Sequence, residues 1–478
     1  MFKKITGIIG AIILLLVTIL LFNTLSFTSK QISFDRIDPI VIDDSVADHL
    51  TKAVQFRTVS FHEDSIPDSL AFRGLHQYLA EQYPLIDSLL EKTVINDYSL
   101  LYEWRGSDPN LKPVIMMSHQ DVVPVDEPTM DQWVAGPFEG NIKEGRIYGR
   151  GTMDDKGTLI AVMEAVERLL DEGFSPKRTI YLAFGHDEEI GGMRGARAIA
   201  NYLRTLGVQA EFTIDEGGVL AEGQIPGIDQ PLAVINVAEK GYVSFELTVE
   251  TGGGHSSQPP KDNTIGLLAR SITALEDNQF DFQVVRPLDY MIEYLGPELP
   301  FMQRLVFANS WLFETQIADA FNGRTTTAPT IIHGGVKDNV IPTVARATIN
   351  FRILPGETSG TVLQHIEDVL QNEHISVRSI GHVSEPSPVS DPNSPSFQLI
   401  QRTIGELYPD AIVVPGLVGG GTDSKYFTEI SDNVYRFYPI RYNKDNKNGF
   451  HGINEYLTVE NFKECIQFSY QLIKNVNL

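Results

Sequence analysis

The sequence predicts an α/β protein that has a mostly parallel sheet, a smaller inserted α+β domain and an N-terminal transmembrane helix. Three observations in the 478-residue chain lead to this prediction. The chain begins with a long uncharged apolar stretch, short apolar runs alternate with helical patterns from about residue 40, and alternating half-exposed strands take over near residue 238. The predicted divisions are an N-terminal segment, 1–30, a main domain in two parts, 40–237 and 354–478, and an insertion, 238–353.

The N-terminal segment has the length and charge pattern of a membrane anchor. Residues 5–22 are 18 residues without a charge, and they follow Lys3 and Lys4. About 20 apolar residues cross the hydrocarbon core of a bilayer, whereas the apolar part of a signal peptide has roughly 7–15. The basic pair predicts a cytoplasmic N-terminus and places the remaining chain on the far side of the membrane. The alternatives are a cleaved signal peptide, which would give a secreted protein, and a buried core helix.

In the main domain, strand-like runs stop where ionisable residues begin. Residues 114–117 precede Ser118 and His119, and residues 210–214 precede Asp215. Residues 179–184 form another such run, and residues 157–170 have the apolar spacing of a helix. In open α/β sheets ligands bind outside the carboxyl ends of the strands, so these ionisable groups are expected to converge.

The insertion has a different pattern. Residues 243–250 and 345–353 alternate between apolar and polar side chains, which is typical of antiparallel strands with one solvated face. Residues 284–323 are rich in Leu, Phe and Met, and predict additional helices. The α/β pattern then resumes and ends in a helix near residues 459–473.

Charge and cysteine content exclude several classes of protein. The formal net charge is −24, and after the first 30 residues the remaining 35 basic and 62 acidic residues give −27. No nucleic-acid partner is expected, because binding to phosphates needs a basic face. The single cysteine, Cys465, excludes an internal disulfide. No Gly-x-Ser-x-Gly motif and no phosphate-binding loop is present, so a serine nucleophile and a nucleotide are not expected.

The groups that follow the predicted strands suit a pair of metal ions. Each alone could be a helix cap or a solvated side chain, but their recurrence at successive strand ends favours a common site. Imidazoles and carboxylates together are ligands that suit Zn²⁺. The candidates are His119, Asp121, Asp154, Glu188, Glu189, Asp215, Glu216 and His451.

The chemistry of metal ligation and proton transfer indicates roles for some of these candidates. One carboxylate, Asp154, can bridge two ions about 3.5–4 Å apart. Asp121 lies two residues after His119 and faces the same way on an extended segment, where it can orient the imidazole. Of the adjacent pair Glu188 and Glu189, one can ligate metal and the other is left as a general base.

The motifs in which these residues lie resemble those of the dizinc aminoacylase/carboxypeptidase metallopeptidases. The resemblance extends over roughly residues 45–475 and is nearest to the N-fatty-acyl-amino-acid synthase/hydrolase and carboxypeptidase S branch. Its motifs, in chain order, are His119-x-Asp121, Gly149-Arg-Gly-x-x-Asp154-x-Lys-Gly157, Asp187-Glu188-Glu189, Asp215-Glu216-Gly217 and a late His451.

The resemblance implies a role for each candidate. Glu188 would be the general base and Asp121 the orienting acid, while either Asp215 or Glu216 could contact zinc. His255 would polarise the substrate carbonyl, often across a dimer interface, and Arg352 and Asn339 would hold the substrate carboxylate. The implied zinc ligands, with Asp154 bridging, are His119, Asp154, Glu189, Asp215 and His451.

The predicted function is hydrolysis of the amide bond of N-acyl amino acids with two Zn²⁺ ions per subunit, although another divalent metal remains open. The resemblance further implies that the insertion is a ferredoxin-like lid or dimerisation domain that supports a homodimer. A carboxypeptidase or dipeptidase that acts on peptides with a free carboxylate is the first alternative. The others are a catalytically inactive binding protein and a membrane-tethered scaffold.

Overall fold

The computed structural model describes residues 2–62 and 65–477 of the chain. Thirteen α-helices lie within these residues, most of them between strands. They are α1 (Phe2–Ser26), α2 (Val46–Val54), α3 (Ser69–Gln82), α4 (Pro84–Leu89), α5 (Lys156–Asp171), α6 (Ala196–Thr205), α7 (Thr264–Asp277), α8 (Arg286–Leu295), α9 (Phe301–Ala308), α10 (Ser310–Ala320), α11 (Ser359–Leu370), α12 (Pro395–Leu407) and α13 (Val459–Asn475).

Nineteen strands lie in the same described residues. They are β1 (Glu91–Ile95), β2 (Ser99–Trp104), β3 (Val114–His119), β4 (Asn141–Lys143), β5 (Arg146–Tyr148), β6 (Ile180–Gly185), β7 (Phe212–Asp215), β8 (Leu220–Ala221), β9 (Leu232–Glu239), β10 (Gly241–Glu250), β11 (Gly254–His255), β12 (Thr326–Gly334), β13 (Val340–Ile341), β14 (Val344–Ile353), β15 (Ile375–Ser384), β16 (Ile412–Val418), β17 (Val434–Arg436), β18 (Arg441–Tyr442) and β19 (Tyr456–Thr458).

The larger sheet has ten strands in the described part of the chain, in the order β1-β2-β6-β3-β7-β17-β9-β8-β18, with β16 paired to β9. Its central strands β6, β3, β7 and β17 are parallel, and β1 and β2 run antiparallel at one edge. The runs predicted as strands overlap β3, β6 and β7, and the two predicted helices are α5 and α13. The prediction of an α/β fold with a mostly parallel sheet is confirmed.

Helices cover both faces of this sheet because its central strands are apolar on both sides. In β3, Val114 and Met116 pack in one cluster with α5, while Ile115 and Met117 pack in another with Ile199 of α6. Successive side chains of a strand point to opposite faces, so a continuous apolar run fills both layers. The same sheet brings the ends of β3, β6 and β7 to one edge.

The smaller sheet has the order β12-β14-β10-β15 and is antiparallel throughout. Its elements follow one another as β10-α7-β12-β14-α11-β15, the β-α-β-β-α-β connection of ferredoxin-like domains. Val243, Phe245 and Leu247 of β10 point to the side covered by α7 and α11, where Leu268 and Ile366 complete the core. The predicted α+β pattern of the insertion is therefore present.

The smaller sheet extends beyond residue 353, where the insertion was predicted to end. Strand β15 pairs with β10 along its length, from Tyr242 opposite Ser384 to Val249 opposite Ile375. The boundary at 353 therefore falls between two strands of one sheet. The side chains of β15 are partly or fully exposed, so its sequence carries little of the apolar signal that marks a core strand.

Helix α1 is the one helix among the described residues that is long and apolar enough to span a membrane, from Lys4 to Ser26. Its apolar stretch is not covered by other parts of the molecule, which excludes the buried-core-helix alternative. Its C-terminal end contacts α9, one of the three helices that occupy the segment predicted to hold extra helices, 284–323.

Candidate metal centre

His119 is the last residue of β3, and its ring is held on both sides by acidic residues. Its Nε2 lies 2.9 Å from Oδ1 of Asp154, and its Nδ1 lies 2.9 Å from the backbone oxygen of Asp121. The Asp121 carboxylate is also near, with Oδ1 at 3.4 Å from the same Nδ1. Burial disfavours a charged imidazole, but the hydrogen bonds to Asp121 and Asp154 outweigh it, so the pKa of His119 is raised.

Asp121 also positions the two glutamates that follow β6. Its Oδ1 accepts the backbone N–H of Glu188 at 3.1 Å, and its Oδ2 accepts that of Glu189 at 3.2 Å. The sequence predicted an orienting role toward His119, but it gave no sign of this second contact. Asp121 thus holds both groups, the imidazole through its backbone oxygen and the glutamate turn through its carboxylate.

The glutamate turn, Glu188–Ile190, brings the carboxylate of Glu189 close to His451 and Asp154. Oε2 of Glu189 lies 3.2 Å from Nε2 of His451, and the same ring nitrogen lies 3.2 Å from Oδ2 of Asp154. His119, Asp154 and Glu189 each offer a ligand atom, and these atoms lie within 4.8 Å of one another. The structure therefore brings together four of the five predicted metal ligands.

The donor set fits a bound cation. Oε1 of Glu189 is buried and has no hydrogen-bond partner among the described residues. Burial, followed by repulsion from Asp154, raises the pKa of Glu189 to about 7. An orphaned carboxylate oxygen beside two imidazoles and a second carboxylate matches the N/O ligation of zinc and related divalent metals.

Asp215 is buried at the end of β7, where its Oδ2 accepts the backbone N–H of Ser424 at 2.9 Å. Burial raises the pKa of Asp215 to about 6. The pKa of Glu216 is also raised, first by burial and next by the negative charge of Asp154. Both acids thus remain candidates for the last ligand position.

The loop that carries Asp154 is shaped by an acid that sequence reasoning missed. Oε1 of Glu455 accepts backbone N–H groups from Gly151 (3.0 Å), Met153 (2.8 Å) and Asp154 (3.2 Å). Its Oε2 pairs with Arg150 at 2.7 Å, and both side chains are almost fully buried. The sequence does contain one sign of this pair, namely Arg150 within a glycine-rich motif. An arginine that is buried there needs an acidic partner.

A second buried ion pair that the sequence did not predict supports the loop that contacts Asp215. Nε of Arg436 is 3.2 Å from Oε2 of Glu239, and the same oxygen accepts the N–H (3.0 Å) and hydroxyl (2.9 Å) of Thr422. Both members of the ion pair are nearly inaccessible to solvent. The pair holds the loop whose Ser424 N–H reaches Asp215, so it positions that carboxylate indirectly.

The catalytic candidate His255 and the substrate-binding candidates Asn339 and Arg352 lie on the smaller sheet or at the short strand pair β11 and β13. His255 is exposed in β11, and its Nδ1 lies 2.8 Å from the Ser257 hydroxyl. Asn339 adjoins the partner strand β13, and its carbonyl accepts the N–H of Ser256 at 3.3 Å. The Arg352 guanidinium lies 4.8 Å from the centre of the Tyr242 ring.

A family model decides the identity of this fold. The model for peptidase family M20/M25/M40 matches residues 115–475, which include the candidate metal ligands. The chain belongs to this family. The predicted resemblance is thereby confirmed, and so is the prediction of a metallohydrolase, whereas the inactive-protein and scaffold alternatives gain no support.

Relatives of this M20 peptidase family member include two named enzymes. "N-fatty-acyl-amino acid synthase/hydrolase PM20D1" of Xenopus tropicalis is 35% identical, over 97% of this chain and 93% of the relative. "Carboxypeptidase S" of Saccharomyces cerevisiae is 33% identical, over 92% of this chain and 85% of the relative. The alignments span nearly the whole chain, so they cover both sheets.

Solved structures agree with this fold. The M20 family metallo-carboxypeptidase Sso-CP2 from Sulfolobus solfataricus aligns with a TM-score of 0.66 at 21% identity, over 91% of this chain and 99% of that one. A dinuclear metal binding peptidase of the M20 family from Bacillus subtilis aligns at 0.56 and 14% identity, over 91% and 99% of the two chains. At these identities the comparison supports the fold alone.

Proposed function

We propose that this M20 peptidase is a membrane-anchored dizinc hydrolase that cleaves the amide bond of N-acyl amino acids. The observation that carries the proposal is the convergence of the side chains of His119, Asp154, Glu189 and His451. The two named relatives, one an N-fatty-acyl-amino acid synthase/hydrolase and one a carboxypeptidase, support a substrate with a free α-carboxylate.

The proposed metal ligands are His119, Asp154, Glu189, His451 and either Asp215 or Glu216. When bound, two zinc ions supply Lewis acidity and lower the pKa of a water molecule. Glu188 takes the proton from the attacking water and passes it to the leaving nitrogen. Asp121 keeps the His119 ring and the Glu188 backbone in place during this transfer.

Substrate recognition is assigned to the smaller sheet. Arg352 pairs with the α-carboxylate through two parallel hydrogen bonds, and Asn339 binds beside it. Closure of the smaller sheet over the metal centre brings His255 to the substrate carbonyl, where it stabilises the developing negative charge. In this structure His255 is exposed and contacts Ser257, so its proposed contact with the substrate requires this closure.

The proposed domains are an anchor, 1–30, a catalytic domain that begins near residue 40, and an inserted lid. We place the end of the lid near residue 384 because β15 belongs to the smaller sheet. The outer strand β12 leaves Ile331 and Ile332 half exposed or more, at 50% and 61%, which supports a homodimer formed through the lid. Light scattering on the solubilised protein distinguishes one copy from two.

The full-length protein, solubilised in detergent, tests the proposed reaction. We expect it to contain a divalent metal. In a series of N-acyl amino acids with different acyl lengths, we expect faster hydrolysis than for dipeptides that have the same C-terminal residue. Removal of metal by a chelator should abolish both activities, and zinc should restore them. Preference for dipeptides would support the carboxypeptidase alternative, and full activity after complete metal removal would contradict the metal mechanism.

Arg352 provides a test of carboxylate recognition. Arg352→Ala should raise KM about 10- to 100-fold with a smaller change in kcat, because it removes charge-assisted hydrogen bonds worth about 1.5–3 kcal/mol. Arg346→Ala is the matched control, since Arg346 is exposed on the same strand and points to the same side. With an amide substrate whose carboxylate is esterified, the Arg352 variant and the native protein should have the same KM; a KM difference that persists there would contradict the assignment.

A further inference from the structure

The C-terminal end of α1 is joined to the main body at one buried side chain, Asn309. Its Oδ1 accepts a hydrogen bond from Nδ2 of Asn23 at 2.9 Å, and its Nδ2 donates to the backbone oxygen of Leu20 at 3.2 Å. Asn309 is completely buried between α9 and α10. The last turns of the apolar helix are therefore held against these two helices.

The chain that follows α1 is also held to the body. Arg304 of α9 donates to the backbone oxygen of Phe27, whose ring lies against Gly296 so closely that a Cβ there would be 2.3 Å from it. Further along, the Gln31 side chain exchanges two hydrogen bonds of 2.9 Å with the backbone of Val413. These contacts therefore fix the position of the main domain relative to the C-terminal end of α1.

Four large apolar side chains are exposed beside these contacts, and we call them the apolar rim. Phe301 and Met302 lie within three residues of Arg304 and are 51% and 70% exposed. Trp311 and Leu312 lie within three residues of Asn309 and are 58% and 44% exposed. Each pair is thus next to a residue that binds the end of the apolar helix.

We propose that the apolar rim inserts into the lipid bilayer, at the boundary between headgroups and acyl chains, on the side where α1 leaves the membrane. This inference rests on the proposed anchoring by α1. The 18 uncharged residues of 5–22 span about 27 Å as a helix, nearly the thickness of a hydrocarbon core of about 30 Å. Leu20 and Asn23 therefore lie at the outer boundary of that core, and the rim lies beside them.

The composition of the rim suits this boundary. Tryptophan is enriched at membrane interfaces, and Phe and Leu are the side chains that bury the apolar face of interfacial helices. The acidic remainder of the protein, with a charge of −27, disfavours an anionic surface, so zwitterionic lipids are the expected environment. Because the rim residues belong to α9 and α10, which pack on the main domain, the proposal places the main domain directly at the surface of the bilayer.

Trp311 allows a direct test. The other two tryptophans, Trp104 and Trp133, are buried, with 7% and 8% exposure. We therefore use the full-length protein in vesicles of phosphatidylcholine brominated at defined acyl positions, which quench tryptophan only on contact. We expect quenching that is strongest for bromines near the headgroup, and loss of the quenched component in Trp311→Phe.

A pair of matched variants separates the rim from other exposed apolar residues. Phe301→Ser with Met302→Ser should reduce the quenching of Trp311, whereas Ile331→Ser with Ile332→Ser, on the exposed strand β12, should leave it unchanged. Extraction with alkaline carbonate reports insertion of α1 independently. Retention in the membrane without quenching of Trp311 would overturn the rim proposal and leave the anchor intact, as when a second copy covers the rim. Release by carbonate would overturn the anchor and the rim together. The proposed amide hydrolysis is tested by a separate activity measurement, so its outcome does not depend on either membrane result.

Discussion

Glu188→Gln is expected to lower kcat by about 10²–10⁴-fold, the usual contribution of a general base. The amide has nearly the same shape as the carboxylate but cannot accept the proton of the attacking water. The backbone N–H of Glu188 is bound by Asp121, so the substitution leaves the glutamate turn in place. We therefore expect the variant to bind the same amount of metal and to unfold at the same temperature.

Metal analysis and steady-state kinetics on the same preparation check this result. Glu460→Gln, a change on an exposed side chain, is the control for the loss of one negative charge. Glu189→Gln should behave differently, with reduced metal content, because its carboxylate contacts His451 and has a free oxygen for a ligand. Full turnover by Glu188→Gln would contradict the assignment of Glu188 as the general base.

Glu455→Ala is expected to destabilise the protein by about 3–5 kcal/mol, the cost of breaking a buried ion pair. The substitution leaves the Arg150 guanidinium buried without its carboxylate partner. It also removes the acceptor for the backbone N–H groups of Gly151, Met153 and Asp154. Because Asp154 lies in this loop, metal affinity should fall as well.

Denaturant unfolding of the full-length protein, followed by near-UV circular dichroism, measures this loss. Glu429→Ala is the matched control, since Glu429 pairs with Arg204 at 2.8 Å on the surface, where both side chains are more than half exposed. Exposed pairs contribute about 0–1 kcal/mol, so the control should unfold close to the native protein. Equal stability of the two variants would show that the loop is held by other contacts.

The sequence predicted the elements that create the metal centre, because their signals are local. His119 and Asp215 each close an apolar strand of a parallel sheet, and the ends of such strands meet at one edge. The family resemblance added the roles of Glu188 and Glu189, which chemistry alone could not distinguish. The predicted α/β fold is therefore present, and the side chains of four predicted ligands lie close together, while their binding of metal stays a prediction.

The supporting ion pairs could not be predicted in the same way. Glu455 and Arg150 are 305 residues apart, and Arg436 and Glu239 are 197 apart, so nothing in the local pattern connects them. The full extent of the smaller sheet was also missed, because β15 joins it through backbone hydrogen bonds while its side chains stay partly exposed. Such long-range pairings become visible only when the chain is folded.

The contact between Glu455 and the Asp154 loop also bears on the order of events during biosynthesis. The backbone N–H of Asp154 and its acceptor are 301 positions apart, and a chain is synthesised from its N-terminus. While the first half of the main domain emerges, the loop therefore lacks the carboxylate that sets its conformation. The loop can take this conformation only after the segment containing Glu455 has been translated, so we expect any binding of metal by Asp154 to occur late in biosynthesis.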